Sequence, residues 1–163
     1  MTDFSIGLLR EAWGPRFWRI FHTMAECSGK ASDKIQRQDE AEAWISILKI
    51  QANVMPCVIC KTHYSEWLLT HAVERVRYIE GDERQKWLRH WLWSCHENIN
   101  RMNKKETPPE EDLPSLYPYR SIQKEIVELG TMYHTAMNKQ LIKLEDVQRW
   151  RQAIARLRTI YGV

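Results

Sequence analysis

The sequence predicts an all-α protein, and three observations carry this prediction. Apolar residues recur at spacings of three and four along most of the 163-residue chain, which is the repeat of an amphipathic helix. No segment alternates between apolar and polar side chains for long enough to make a convincing strand. Proline and cap signals separate the helical patterns from one another.

The first helix is predicted to begin at Gly14-Pro15, because a proline at an early helical position loses no hydrogen bond. Its apolar face includes Trp18 and His22, which are four residues apart and therefore project from the same side. Polar residues 28–38 indicate a loop after this helix.

The second and third helices have separate start signals. Asp39 followed by Glu42 is typical of a capping box, so the second helix is expected to begin there. Pro56 interrupts the helical pattern. A third helix is therefore predicted from Cys57 to about His71.

Three further helices complete the prediction. A turn at residues 80–82, with Asp82 and Gln85 as a cap signal, precedes a long fourth helix that ends near Lys104. Four prolines and an acidic run make residues 107–118 a loop. Amphipathic patterns over residues 122–137 and 147–161 predict two more helices, which we expect to pack on the protein's own bundle.

Composition narrows the possible functions. There are 24 Lys and Arg against 21 Asp and Glu, and the basic residues are spread along the chain, which argues against nucleic acid as a partner. No apolar run approaches the ~20 residues that span a bilayer, and the first ten residues do not resemble a secretory signal. The expectation is a cytoplasmic protein in which four cysteines do not form a disulfide scaffold.

Cys57-Val58-Ile59-Cys60 is the first candidate for chemistry. At a helix start the two cysteines are one turn apart, and the helix dipole favours a thiolate. Such a pair is either redox-active or half of a zinc site, for which His63 would be a third ligand. A zinc-stabilised helical interaction module is therefore an alternative function.

His96 and Asn100 form a second polar pair, on one face of the fourth helix beside the apolar residue Ile99. Two inward-facing polar side chains need hydrogen-bonding partners, which a heterocyclic ligand, each other or a backbone carbonyl would supply. Arg101, followed by two lysines, either complements the helix dipole or holds a pyrophosphate.

Three motifs occur in order along the chain: Gly14-x-x-x-Trp18-x-x-x-His22, Pro56-Cys57-x-x-Cys60 and His96-x-x-x-Asn100-Arg101-x-x-x-Lys105. In this order they resemble the Erv/ALR family of FAD-linked sulfhydryl oxidases over roughly residues 10 to 115. The short length and the Trp-Gly-Pro opening are most similar to members encoded by large DNA viruses.

The resemblance implies a four-helix bundle that binds FAD and no metal, usually as a homodimer, with residues 1–115 as the oxidase domain and 116–163 as a C-terminal helical extension. It implies cofactor contacts from Gly14, Arg16, Phe17, Trp18, His22, Trp91, His96, Asn100, Arg101, Lys104 and Lys105.

The resemblance also implies a reaction. A thiol-containing protein substrate or a thioredoxin-like carrier attacks Cys57, the more exposed sulfur, and Cys60 is the sulfur next to the flavin. Electrons pass to oxygen and give hydrogen peroxide. If the protein is viral, it would work in the host cytoplasm or the virion.

The chain departs from the family at three places. Glu97 stands where the family usually has Asn, and Trp93 stands where many cellular members have a structural cysteine. Cys27 and Cys95 match no redox position of the family, and we expect both to be buried free thiols.

Overall fold

The computed structural model describes the backbone of residues 4–163 and the side chains of residues 11–163. It confirms the all-α prediction, since this part of the chain contains helices and no strand. In chain order the helices are α1 Phe4–Cys27, α2 Lys34–Val54, α3 Val58–Thr70, α4 Gly81–Met102, α5 Leu113–Leu116, α6 Gln123–Asn138 and α7 Leu144–Tyr161, with short 3₁₀ helices at Glu74–Tyr78 and Glu110–Asp112.

Helix α1 does not begin at Gly14-Pro15 as predicted but runs through both residues from Phe4. Proline inside a helix removes one backbone hydrogen bond. Trp13 and Phe17, on either side of Pro15, are both buried in the core, and this packing favours the uninterrupted helix. The Nη1 of Arg16 also donates to the carbonyl oxygen of Ala12 at 2.6 Å.

Helix α2 begins earlier than predicted. Asp33 is its N-cap, and the Asp33 carboxylate accepts a hydrogen bond from the backbone N–H of Gln36 at 2.8 Å. The predicted capping box at Asp39 and Glu42 lies inside the helix. Glu42 instead binds the guanidinium of Arg77, so its spacing from Asp39 was a coincidence of sequence.

The start of α3 is confirmed, because Cys57 is the N-cap of this helix and its sulfur accepts from the backbone N–H of Cys60. The predicted cap of α4 is wrong. The residue before this helix, Glu80, makes no side-chain capping bond, and the amide of Gln85 donates to the carbonyl oxygen of Glu26 at 2.6 Å. The predicted loop at 107–118 contains a short 3₁₀ helix and the single turn α5.

Helices α6 and α7 form a hairpin that packs on the outside of α1 and α2. Helix α6 lies against α1, and α7 lies along α2, the most extensive helix–helix contact of the fold. Their buried side chains, including Leu129, Tyr133 and Trp150, belong to the same hydrophobic core as those of α1–α4. The Trp150 Nε1 donates to the Gln51 amide oxygen at 2.8 Å, which fixes α7 on α2.

A buried ion pair connects four segments of the chain near the C-terminal end of α7. The Arg84 guanidinium donates to the Glu40 carboxylate at 2.6 Å, and both side chains are almost completely inaccessible to water. Glu40 also accepts from the Tyr161 hydroxyl and from the backbone N–H of Gly29. The pair therefore connects α2, α4, the end of α7 and the loop after α1.

Among the described residues, no helix combines the length and the apolar composition that a membrane span requires.

Candidate functional site

Cys57 and Cys60 are joined in a disulfide at the N-terminal end of α3, with 5.2 Å between their Cα atoms. Cys57 is extended and Cys60 is in the first helical turn, so the two sulfurs meet across that turn. The N-terminal end of a helix carries a partial positive charge. This position therefore stabilises a thiolate released when the disulfide opens.

The relative exposure of the two cysteines differs from the expectation. Cys57 is only 4% exposed and packs in the hydrophobic core, whereas Cys60 is half-buried and lines a cavity. Cys57 is at the N-terminal end of α3, and α3 packs against α2. Val58 and Ile59, between the cysteines, are 65% and 63% exposed.

The cavity next to Cys60 has a volume of about 620 Å³ and is enclosed mainly by α1, α3 and α4. Six residues that the sequence predicted as cofactor contacts line it together with Cys60: Gly14, Phe17, Trp18, His96, Asn100 and Lys105. The three sequence motifs are therefore brought to one site.

The other predicted contacts do not line the cavity. His22 is buried directly behind His96, and the indole of Trp91 donates to the carbonyl oxygen of His71 at 3.2 Å. Arg16 binds Glu128 of α6. The remaining two predicted contacts, Arg101 and Lys104, are at the end of α4 and outside the lining.

Glu97 explains the position of Arg101. It is one turn before Arg101 on α4, and its carboxylate accepts from the Arg101 Nη2 at 2.6 Å. This ion pair holds the guanidinium on the exposed side of the helix. Glu97, the residue that departs from the family pattern, therefore binds the guanidinium of Arg101.

Lys104 and Lys105 separate because the chain turns sharply where α4 ends. Lys104 adopts the left-handed conformation with φ of 55°, and the backbone N–H of Lys105 then bonds back to the Asn100 carbonyl oxygen at 2.9 Å. Such a turn is a common helix ending. It brings Lys105 to the cavity and leaves Lys104 exposed.

Aromatic and imidazole rings stack along one wall of the cavity. The Trp18 and His96 rings are almost parallel, 8° apart, with 3.9 Å between their centroids. The His22 Nε2 lies 3.2 Å from the His96 Nδ1. Tyr117 stacks on His22 with a centroid distance of 4.7 Å.

Both histidines are neutral at physiological pH. Burial, with the nearby His96 as a second cause, lowers the pKa of His22 from 6.5 to about 3. Burial alone lowers the pKa of His96 from 6.5 to about 4. One neutral ring donates the shared hydrogen bond and the other accepts it, so the pair satisfies both buried nitrogens without a charge.

Asn100 has protein partners of its own. Its amide nitrogen donates to the Thr107 hydroxyl at 3.0 Å and to the Glu106 carbonyl oxygen at 3.3 Å. The two polar side chains of α4, His96 and Asn100, are therefore hydrogen-bonded by the protein itself. Both still line the cavity, where they are available to a ligand.

Several cavity residues were not predicted from the sequence. Tyr117 lies in the predicted loop after α5, where no periodic pattern points to a role. Trp13 precedes Gly14 in the first motif, and this adjacency was the available signal. The other unpredicted lining residues include Glu11, Arg19, Met55, Ile59, His63, Ile99 and Asn103.

The remaining two cysteines, Cys27 and Cys95, are free and buried, as expected. Burial raises the pKa of both thiols, so neither is a thiolate at neutral pH. Within residues 11–163 no group of three or more His, Cys, Asp or Glu side chains is placed to hold a metal ion. The Cys57–Cys60 disulfide occupies both sulfurs that the alternative zinc site would use.

Comparison with known proteins agrees with the motifs. The pattern of the Erv1 / Alr family matches residues 15–118, more than half of the chain. An FAD-linked sulfhydryl oxidase of African swine fever virus (isolate Pig/Kenya/KEN-50/1950) is 30% identical over 94 residues, which are 57% of this chain and 70% of that protein. No solved structure matches the chain significantly. The matched region contains Cys57, Cys60 and nearly all of the cavity wall, and the chain therefore belongs to the Erv1 / Alr family.

Proposed function

We propose that this protein is an FAD-linked sulfhydryl oxidase that forms disulfides in protein thiols and passes the electrons to oxygen, giving hydrogen peroxide. The observation that carries this proposal is the position of Cys60, which belongs to the disulfide and also lines the aromatic cavity. The family and the name of the viral relative support the same activity.

The cavity residues fit a flat, anionic dinucleotide. Trp18, His96 and Tyr117 offer ring faces, and ring stacking is a common way to hold a heterocycle. Lys105 offers an ammonium group that suits a phosphate. A Cβ added at Gly14 would meet no atom within 4 Å other than those of its chain neighbours and its own helix backbone, so this part of the wall has room for a ligand.

In the proposed complex Trp18, His96, Asn100 and Lys105 hold the cofactor directly. His22 lies behind His96 and positions it, and Trp91 bonds to His71 outside the lining. Arg16, Arg101 and Lys104 contact the cofactor only if their side chains rearrange. When bound, FAD supplies two-electron reoxidation of the reduced cysteine pair and transfer to oxygen.

The protein's own cysteines carry out the exchange with substrate. A substrate thiolate attacks the Cys57 sulfur, a mixed disulfide forms, and the Cys57–Cys60 bond breaks with Cys60 leaving as a thiolate. The helix N-terminus lowers the cost of this charge. A second substrate thiolate then attacks the mixed disulfide and releases Cys57, so the substrate loses two electrons and the cysteine pair gains them.

Because Cys57 is buried, substrate access requires a local movement of the first turn of α3. Val58 and Ile59 are the exposed part of this turn, and a substrate would meet them first. The homodimer that the family resemblance implies and the cytoplasmic location expected from the sequence stay predictions.

The test is the visible absorption spectrum of the purified protein together with its dithiothreitol-dependent oxygen consumption. A flavin spectrum and turnover are expected for the wild type and for Cys27→Ala, which removes a thiol without a role in the proposal. Cys60→Ser should keep the flavin and lose turnover. A colourless protein with stoichiometric zinc would contradict the proposal and favour the interaction module.

A further inference from the structure

A second cavity, of about 360 Å³, forms a groove between α2 and α7 on the outside of the bundle. The groove is lined by Ala43, Ser46, Lys49, Ile50, Asn53, Arg149, Gln152, Ala153 and Arg156. Three of these residues are basic and none is acidic. The groove is therefore a positively charged surface with a short apolar floor.

Two of the three basic side chains of the groove form no ion pair with the described side chains. Lys49 pairs with Glu74 at its edge. Arg149 and Arg156 are exposed, and neither forms an ion pair with any side chain of residues 11–163. Many other arginines of the fold, such as Arg77 and Arg89, are bound by a carboxylate.

One end of the groove lies toward the redox disulfide. Helices α2 and α7 are antiparallel, because Trp150 bonds to Gln51 while Tyr161 bonds to Trp44. Asn53 is therefore at one end of the groove, and Cys57 follows it four residues later in the sequence.

The chain before α7 is attached to the same region. The ammonium of Lys61, in the first turns of α3, donates to the carbonyl oxygen of Leu141 at 2.6 Å. The loop between α6 and α7 is thereby held against the redox helix. A polypeptide whose cysteines reached α3 would have the Asn53 and Arg149 end of the groove beside it.

We propose that this groove docks an acidic segment of the protein substrate and so selects acidic thiol proteins for oxidation. The proposal rests on the proposed sulfhydryl oxidase function and names its substrate class. Residues 43–53 of α2 span about 15 Å, at 1.5 Å per helical residue. An extended segment of about five residues covers that length.

An acidic polypeptide fits the groove better than a nucleic acid does. Single-stranded nucleic acids are bound by exposed aromatic side chains together with basic residues, and no aromatic residue lines this groove. The lining also offers Ser46, Asn53 and Gln152, which hydrogen-bond carboxylates and backbone amides. Helix α7, which forms one side of the groove, lies beyond the residues that match the family.

The groove is tested by binding, without turnover. The probe is a fluorescent peptide with Ser-x-x-Ser in place of the substrate cysteines and five glutamates placed about four residues away. The wild type should bind it more tightly than a matched peptide with glutamines, and raising the salt from 50 to 300 mM should weaken binding several-fold.

Two variants locate the binding surface. Arg149→Glu combined with Arg156→Glu should weaken binding of the acidic peptide by about tenfold or more, which corresponds to ~1.4 kcal/mol. Lys86→Glu makes the same type of charge change on the exposed face of α4 and should leave binding within about twofold. Equal binding of the two peptides, equal loss in Lys86→Glu, or tighter binding of a single-stranded oligonucleotide would overturn the proposal.

Turnover separates this proposal from the activity itself. With cysteines restored in the peptide, the double variant should lose its preference for the acidic peptide in kcat/KM and keep the wild-type rate with dithiothreitol. A protein that binds the acidic peptide but oxidises no thiol would contradict the oxidase and retain the docking surface.

Discussion

The Nε2 of His22 and the Nδ1 of His96 are 3.2 Å apart where α1 and α4 meet, with His96 in the cavity wall and His22 buried behind it. Trp18 covers the His96 ring and Tyr117 covers the His22 ring. A protonated histidine in this stack would face a second imidazole in a site largely shielded from water. The pair therefore links the protonation of the site to the stability of the fold.

Stability should fall below about pH 6.5 because of these two histidines. Their folded-state pKa values, about 3 and about 4, lie below the ordinary value of 6.5. The unfolded chain therefore binds protons first, and the free energy of unfolding falls as pH drops from 6.5 toward 4. Each histidine contributes a slope of up to about 1.4 kcal/mol per pH unit.

Urea unfolding at pH 7.5, 6.5 and 5.5 measures this slope. The double variant His22→Phe/His96→Phe should show a flatter dependence between pH 6.5 and 5.5. His90→Gln, which changes an exposed histidine, should behave as the wild type does. An unchanged slope in the double variant would contradict the assignment.

Gly14 should control flavin content through the size of its side chain. Gly14→Ala and Gly14→Leu both add a Cβ before Pro15, so both carry the same backbone restriction. Only leucine extends further into the cavity, where no protein atom lies near the Cβ. We expect Gly14→Leu to lose most of its flavin while Gly14→Ala keeps it, as measured by the ratio of absorbance at 450 and 280 nm. Equal flavin content in both variants would show that Gly14 does not border the cofactor.

Tyr117 should contribute to cofactor binding through its ring. Tyr117→Leu removes an aromatic ring that lines the cavity, and an aromatic contact with a bound heterocycle is worth about 0.5–1.5 kcal/mol. The Kd for flavin, measured by fluorescence quenching on refolding with added FAD, should rise by roughly two- to tenfold. Tyr117→Phe retains the ring and is the control. A loss in Tyr117→Phe as large as in Tyr117→Leu would assign the effect to the hydroxyl.

The buried Glu40–Arg84 pair should be far more important for stability than the exposed Glu42–Arg77 pair on the same helix. Glu40→Gln leaves the Arg84 charge buried without its partner, which typically costs about 3–5 kcal/mol. Glu42→Gln opens an ion pair that water already screens, and its effect should be small. Thermal unfolding of the two variants compares them directly. Similar melting temperatures would contradict the structural role of Glu40.

The sequence predicts a helix well where the buried residues of that helix recur at one regular spacing. Helices α6 and α7 were predicted from 122 and 147 and begin at Gln123 and Leu144. The predicted starts of α1 and α2 are wrong for different reasons: α2 begins at the earlier cap residue Asp33, whereas α1 continues through Pro15. Pro15 resembles a helix start, but the buried neighbours Trp13 and Phe17 favour a continuous helix.

The sequence predicts the site residues that belong to motifs. It does not predict the features of the site that depend on tertiary contacts. Trp18, His96 and Cys60 converge as the motif order implied. The burial of Cys57 depends on how α3 packs on α2, and the arrival of Tyr117 depends on the path of a loop. The spacing of residues along the sequence gives no signal for either of these two features, so neither could be predicted from it.

Helix α1 contacts the C-terminal hairpin as well as the cavity, and both sets of contacts restrict which substitutions this helix tolerates. Gly14 and Trp18 border the cavity, while Arg16 and Arg19, on neighbouring turns, bind Glu128 and Glu125 of α6. The C-terminal hairpin is consequently not an interchangeable module. A chimaera that carried the C-terminal hairpin of a relative would also need the matching residues on α1. A substitution in either α1 or α6 at these ion pairs would need a compensating substitution in the other helix.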